Sequence, residues 1–178
     1  IIVVGDQNRV AEISAHFSNI ECKISNREFV THTGTYNGKR ISAISTGIGT
    51  DNVDIVLNEL DALFNIDLQS RKIKENKTSL NIVRLGTSGS LQEDIPVDAF
   101  VCSSHAVGFD GVMHFYKTEY EREEKILCSE FIQQTGWPLH LNPPYLVKGS
   151  ESLVKVIGEG MITGITAMTR VAQSEGVL

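Results

Sequence analysis

Ile1-Ile2-Val3-Val4 is an unbroken run of β-branched residues that Gly5-Asp6 stops. It shows no polar alternation, so neither face of the strand is built to meet water. Such a run reads as a strand buried on both sides within an α/β sheet. Helical spacing follows at once: Val10, Ile13 and Phe17 share one face of the segment Arg9 to Phe17. A fully buried strand that feeds a helix predicts a layered α/β fold with parallel strand pairs. A sequence that opens inside a strand also predicts further residues before Ile1.

The rest of the chain keeps this alternation. Asn37-Gly38 separates two β-rich runs, Glu28 to Tyr36 and Lys39 to Ser45. Asn-Gly there predicts a tight hairpin, because a type I′ turn needs positive φ at both central residues. Thr46-Gly47-Ile48-Gly49-Thr50 is a glycine-rich exit from the second run, with Asp51 as the predicted N-cap of a helix carrying Val53, Val56, Leu57, Leu60 and Phe64 on one face. Gln69 to Ser79 reads as a solvated connection. Leu80 to Leu85 and Ala99 to Val107 read as strands, Thr118 to Gln134 as an exposed helix, and Gly136 to Pro144 as a loop. Leu153 to Ile157 reads as a short helix, with a strand starting near Gly164 to Ala167. The chain shows no repeats, linkers or low-complexity tracts, so residues 1–178 are expected to form a single domain.

Composition narrows the function classes. With 178 residues, 41% of them hydrophobic and 21% charged, the chain is long and apolar enough for a globular core. Sixteen Lys+Arg against 22 Asp+Glu give a net charge of −6, which disfavours general binding to nucleic acid or anionic membrane. No apolar run reaches the length of a membrane span, and the start has no signal-peptide pattern. Cys22, Cys102 and Cys128 are widely spaced and form no CxxC pair, as expected of reduced thiols in a cytoplasmic protein. His16, His32, His105, His114 and His140 have no metal-ligand spacing, and no metal site is expected.

Three strand ends carry the chemistry. They are Gly5-Asp6-Gln7-Asn8-Arg9, Thr46-Gly47-Ile48-Gly49, and Arg84-Leu85-Gly86-Thr87-Ser88-Gly89-Ser90. Glycine lets main-chain N–H groups approach an anion, a helix N-terminus adds favourable potential, and an arginine offers a planar fork matched to phosphate oxygens. Arg84 stands in an otherwise apolar run, so it is expected to be buried and to need an anionic partner, either a protein carboxylate or a ligand. Arg9 also reads as a plain surface helix residue, and Thr87 as a residue that hydrogen-bonds its own turn. Ser88 lacks the Gly-x-Ser-x-Gly spacing of a nucleophile elbow. The acidic run Glu119, Glu121, Glu123, Glu124 reads as a solvated helix face.

In their order, several short motifs resemble the nucleoside phosphorylase family on its uridine phosphorylase side. They are Val4-Gly5-Asp6-Gln7-Asn8-Arg9-Val10, Arg27-Glu28-Phe29-Val30-Thr31, Gly34-x-Tyr36-Asn37-Gly38-Lys39 and Ser45-Thr46-Gly47-Ile48-Gly49, then Glu59-Leu60, Arg84 to Gln92, and Asp110-Gly111-x-x-His114-Phe115. The match covers residues 1–167, and 168–178 is unmatched. The resemblance implies a central mixed β-sheet flanked by helices, incomplete at its C-terminal end. It implies phosphorolysis of a pyrimidine nucleoside, in which uridine and phosphate give uracil and ribose 1-phosphate.

The same resemblance implies roles for named residues. Gly5, Arg9, Arg84 and Thr87 hold phosphate, with Arg84 and Thr87 catalytic and Thr87 also touching ribose. Ser88 and Gly89 line the base pocket through their main chain. Arg27 reaches phosphate in a neighbouring subunit, which implies a homodimer or a hexamer of three dimers. Glu28 lies where some relatives bind a monovalent cation, and Asn52 stands where those relatives carry serine. Inorganic phosphate is the co-substrate and no cofactor is implied. The family's Gln-Gly-Arg segment that reads the base and its Glu-Met-Glu ribose motif are not in this sequence. Purine nucleoside phosphorylase is the alternative enzyme. A truncated, non-catalytic phosphate binder is the alternative of another class. The three arginines argue against a water-using nucleosidase.

Overall fold

The computed structural model describes residues 1–168. The chain divides into two compact units, Ile1–Gly89 and Ser90 onward. Of residues 168–178, expected to lie outside the family match, only Met168 is among the described residues.

The first unit is built on β1 (Ile2–Val4), α1 (Gln7–Ser14), β2 (Asn19–Asn26), β3 (Phe29–Tyr36), β4 (Lys39–Ser45) and α2 (Thr50–Asn65). Two minor strands, β5 (Ile66–Asp67) and β6 (Lys72–Ile73), pair with each other, and β7 (Val83–Leu85) completes the unit. Five strands form one mixed sheet in the order β2-β3-β4-β1-β7. β2, β3 and β4 form an antiparallel meander, while β1 pairs in parallel with both β4 and β7. The α/β reading with a mixed, helix-flanked sheet is therefore realised in this unit.

Adjacent residues of β1 show how the sheet is covered, since successive side chains point to opposite faces. Val3 packs with Ile44, Val56 and Leu60, which brings α2 onto one face. Val4 packs with Val10 and Ala43, which brings α1 onto the other. Each fully buried valine contributes about 1.5–3 kcal/mol relative to exposure. The Asn37-Gly38 turn forms as predicted, with φ of 47° and 74°.

Three expectations need correction. The predicted strand 80–85 contracts to Val83–Leu85, because β1 offers only three residues to pair with. Leu80 and Ile82 instead pack against the Val3 cluster. Asp51 is not the N-cap of α2: the helix starts at Thr50 with Gly49 as its cap at φ 98°, and Asp51 sits in the first turn. The strand β2 was not expected at all.

The second unit has a three-stranded sheet in the order β10-β8-β9. Its elements are β8 (Val101–Gly108), a 3-10 turn (Val112–Phe115), α3 (Arg122–Thr135), β9 (Tyr145–Lys148), α4 (Glu151–Ile157) and β10 (Ile162–Met168). β10 runs parallel to β8 and β9 antiparallel to it. Phe109 stacks on Phe131 and on Trp137, with centroids 5.7 and 5.3 Å away, and those two rings stand 6.1 Å from each other. Glu124 departs from the solvated acidic face. It is buried, accepts from the Glu121 N–H at 2.6 Å as part of the helix cap, and accepts from the Lys148 N–H at 2.7 Å. One carboxylate thus ties α3 to β9. The Tyr145 hydroxyl donates to both oxygens of Asp110 at 2.8 and 3.0 Å, and burial with that carboxylate holds its pKa well above the ordinary range. Cys22, Cys102 and Cys128 are half-buried free thiols. No helix among the described residues is long and apolar enough to cross a membrane.

Candidate anion site at three strand ends

Because β4, β1 and β7 are adjacent and parallel, their carboxyl ends open on the same edge of the sheet. Ligands gather at such an edge in α/β folds. The three glycine-bearing loops meet there around a cavity of about 630 Å³. From the first loop it is lined by Gly5, Asp6, Gln7 and Arg9, from the second by Gly47, Ile48 and Asn52, and from the third by Arg84, Gly86 and Thr87. Glu28 lines it as well.

Local sequence explains each placement. Asp6 caps α1, its Oδ1 accepting from the Asn8 N–H at 2.9 Å, so Arg9 falls in the first helical turn beside the cavity. Thr46 is buried and locks the ends of β1 and β4 together. Its N–H donates to the Val4 carbonyl at 2.8 Å and its Oγ1 to the same oxygen at 3.3 Å. Gly47 then turns the chain at φ 71°. Arg84 lies on β7, opposite Val3. Its guanidinium folds over Gly86, where an added Cβ would stand 2.7 Å from Nη1. Glycine at 86 is what makes room for the cation.

Arg84 corrects one expectation. It is exposed rather than buried, because β7 is the edge strand of the sheet. Among the described residues, neither Arg9 nor Arg84 has a carboxylate within ion-pair distance. Two unpaired guanidinium groups therefore face one cavity, beside the N-terminal ends of α1 and α2. Helix N-termini carry partial positive charge, and the combination suits a small anion.

Of the sequence-predicted residues, Gly5, Arg9, Arg84 and Thr87 come together at this cavity. Ser88 and Gly89 follow directly in the third loop but do not line it, and both are exposed. Arg27 stands apart at the tip of the β2–β3 hairpin, exposed, with φ 56°. Asp6, Gln7, Gly47, Ile48 and Gly86 line the cavity without a role assigned from sequence, and Glu28 and Asn52, noted only for the cation position of some relatives, line it as well. The signal of the five residues without a role is their position in the same strand-end loops, whereas Glu28 comes from the β2–β3 hairpin and Asn52 from α2.

The position where some relatives bind a monovalent cation carries a hydrogen bond within this chain. Asn52 Nδ2 donates to Glu28 Oε1 at 3.2 Å, so one oxygen of that carboxylate is already hydrogen-bonded. No group of three or more His, Cys, Asp or Glu residues suited to a metal ion occurs among the described residues.

Residues 1–175 match the family pattern of the Phosphorylase superfamily. The chain belongs to this superfamily of nucleoside phosphorylases and nucleosidases. It is 34% identical over 116 residues to the uridine phosphorylase of Treponema pallidum (strain Nichols), covering 65% of this chain and 40% of that protein. It is 35% identical over 98 residues to the DeoD-type purine nucleoside phosphorylase of Bacillus thuringiensis (strain Al Hakam), covering 54% of this chain and 36% of the relative. Among solved structures, a Trypanosoma brucei nucleoside phosphorylase described as showing uridine phosphorylase activity superposes with a TM-score of 0.81 at 25% identity. That match covers 98% of this chain and 63% of the other. The chain thus spans two fifths or less of these two curated relatives and under two thirds of that structure.

Proposed function

We propose that the protein cleaves a pyrimidine nucleoside by phosphorolysis, converting uridine and phosphate to uracil and ribose 1-phosphate. The observation that carries this reading is that Arg9 and Arg84, without ion-pair partners among the described residues, line one cavity together with the glycine loops. Similarity to a uridine phosphorylase and to a structure described as having that activity supports the choice of base.

The chemistry asks for no protein nucleophile. A phosphate oxygen forms a bond to the anomeric carbon as the bond from that carbon to the base nitrogen breaks. The bonding pair leaves with the base, which takes up a proton. Arg9, Arg84 and the main-chain N–H groups of the loops hold the phosphate in place and balance its charge, while Thr87 contacts phosphate and ribose. Such positioning and charge stabilisation accounts for the arginine-rich site. In this proposal Arg27 serves the site of a second subunit in a homodimer or hexamer, Ser88 and Gly89 border the base, no cofactor takes part, and the enzyme works in the cytoplasm within nucleoside salvage.

Similarity to a purine enzyme favours inosine as the second substrate to test. The experiment measures uracil release from uridine with and without phosphate, with inosine alongside. Phosphate-dependent uracil release is expected. Cleavage of inosine alone moves the protein to the purine branch, uracil release without phosphate makes it a hydrolase, and turnover of neither overturns the reading as an enzyme.

A further inference from the structure

One group at the cavity is at odds with an anion site. Glu28, an exposed acid, lines the same cavity as Arg9 and Arg84. Asp6 is the other carboxylate there, and its capping of α1 accounts for it. Glu28 caps no helix and, among the described residues, pairs with neither arginine.

Its position is nevertheless held from three sides. The buried hydroxyl of Ser45 donates to the Glu28 carbonyl and accepts from the Val30 N–H at 2.7 Å, which pins the main chain. The Asn52 amide donates to Oε1 at 3.2 Å, which fixes the side chain. Gly47 leaves the space: a Cβ there would stand 2.8 Å from both Glu28 Cγ and Asn52 Nδ2. With the Asn52 amide on Oε1, no donor among the described residues occupies Oε2.

An ionised carboxylate accepts hydrogen bonds and donates none. Beside an anion it is repulsive unless that anion carries a proton to donate. Inorganic phosphate near neutral pH has at least one P–OH group, whereas sulfate has none. The geometry points to Glu28 as the residue that selects phosphate over sulfate, accepting the P–OH hydrogen bond while the arginines bind the unprotonated oxygens. Asn52 is the positioning residue that keeps the carboxylate at the cavity wall. This inference rests on the phosphate reading above and adds a specificity determinant to it.

The test is calorimetric titration of the protein with inorganic phosphate and, separately, sodium sulfate at neutral pH. A hydrogen bond to a charged acceptor, gained with phosphate and replaced by repulsion with sulfate, predicts phosphate binding about tenfold to a hundredfold tighter. Glu28→Gln replaces the acceptor with an amide that can donate, so the two affinities should converge, chiefly because sulfate binding strengthens. Asn52→Ala should narrow the ratio without abolishing phosphate binding. Equal affinities in the unaltered protein, or an undiminished preference in Glu28→Gln, overturn the role of Glu28 and leave the anion site standing. Binding of neither anion overturns the phosphate reading itself.

Discussion

Arg84 gives the sharpest test of the proposed anion site. The side chain is exposed, has no ion-pair partner among the described residues, and lies over Gly86 facing the cavity. Replacing it with alanine removes no core contact, so the folding free energy should change by less than about 0.5 kcal/mol. The ligand loses a planar fork. A hydrogen bond to a charged group contributes about 1.5–3 kcal/mol net, and solvent exposure argues against adding two such bonds in full. Arg9 and the loop amides remain. A loss of about 2–3 kcal/mol is expected, or a phosphate affinity about 30- to 150-fold weaker. For a site of millimolar affinity that amounts to loss of measurable binding. Arg84→Lys keeps the charge but not the fork and should recover only part of the difference. The assay is phosphate titration by calorimetry, with a denaturant melt to show that the variant is folded. A folded Arg84→Ala protein with phosphate affinity within about twofold of the parent would refute the assignment of Arg84 to the anion.

Two further outcomes test the scaffold. Gly34 in β3 is buried, and a Cβ there would overlap the Asn19 carbonyl oxygen and stand 2.7 Å from Phe17 Cδ2. The obstacle is largely main chain, so Gly34→Ala should cost about 1–3 kcal/mol in urea unfolding, and an unchanged midpoint would contradict the close approach. His32 is buried on β3, its Nδ1 2.7 Å from Ser14 Oγ, and burial followed by cross-strand Lys23 lowers its pKa below 6.5. A depressed histidine resists protonation in the folded state while the unfolded chain takes up the proton. Its contribution to stability is complete above pH 6.5 and falls as pH drops through the lowered value. His32→Phe should flatten that part of the urea-midpoint profile, and identical slopes in the two proteins would exclude His32 as a source.

Legibility in the sequence followed the locality of each signal. The β1 run, the Asn37-Gly38 turn and the spacing of α2 are encoded within a few residues, and the structure matches them closely. β2 was overlooked because Asn, Glu, Lys and Ser dominate it, although Ile20, Cys22 and Ile24 do alternate. Its place comes from seven register pairs with β3 rather than from burial of its own side chains. β9 is a four-residue strand between Pro144 and Gly149, short enough to read as the end of the preceding loop. Glu124 looked like one more solvated acid because nothing local announces that the Lys148 N–H will reach it from β9. The sequence places Arg84 in the right strand but at the wrong depth, since its neighbours cannot reveal that β7 lies at the edge of the described sheet.

The site itself was legible in pieces whose assembly was not. Each loop taken alone is ordinary punctuation after a strand. What gives the three a common purpose is the parallel pairing of β4, β1 and β7, a long-range property that places three chain segments, near residues 5, 47 and 86, on one edge. Anion sites suit this construction because their main parts are main-chain amides, helix ends and a few fixed cations, all set by local backbone geometry. Glu28 was harder to assign. Its carboxylate reaches the cavity only because Ser45, Asn52 and Gly47 act together, and those residues lie 17, 24 and 19 positions further along the chain. The anion affinity proposed for the cavity thus rests on short motifs, while the discrimination between anions proposed for Glu28 depends on contacts that only the folded chain creates.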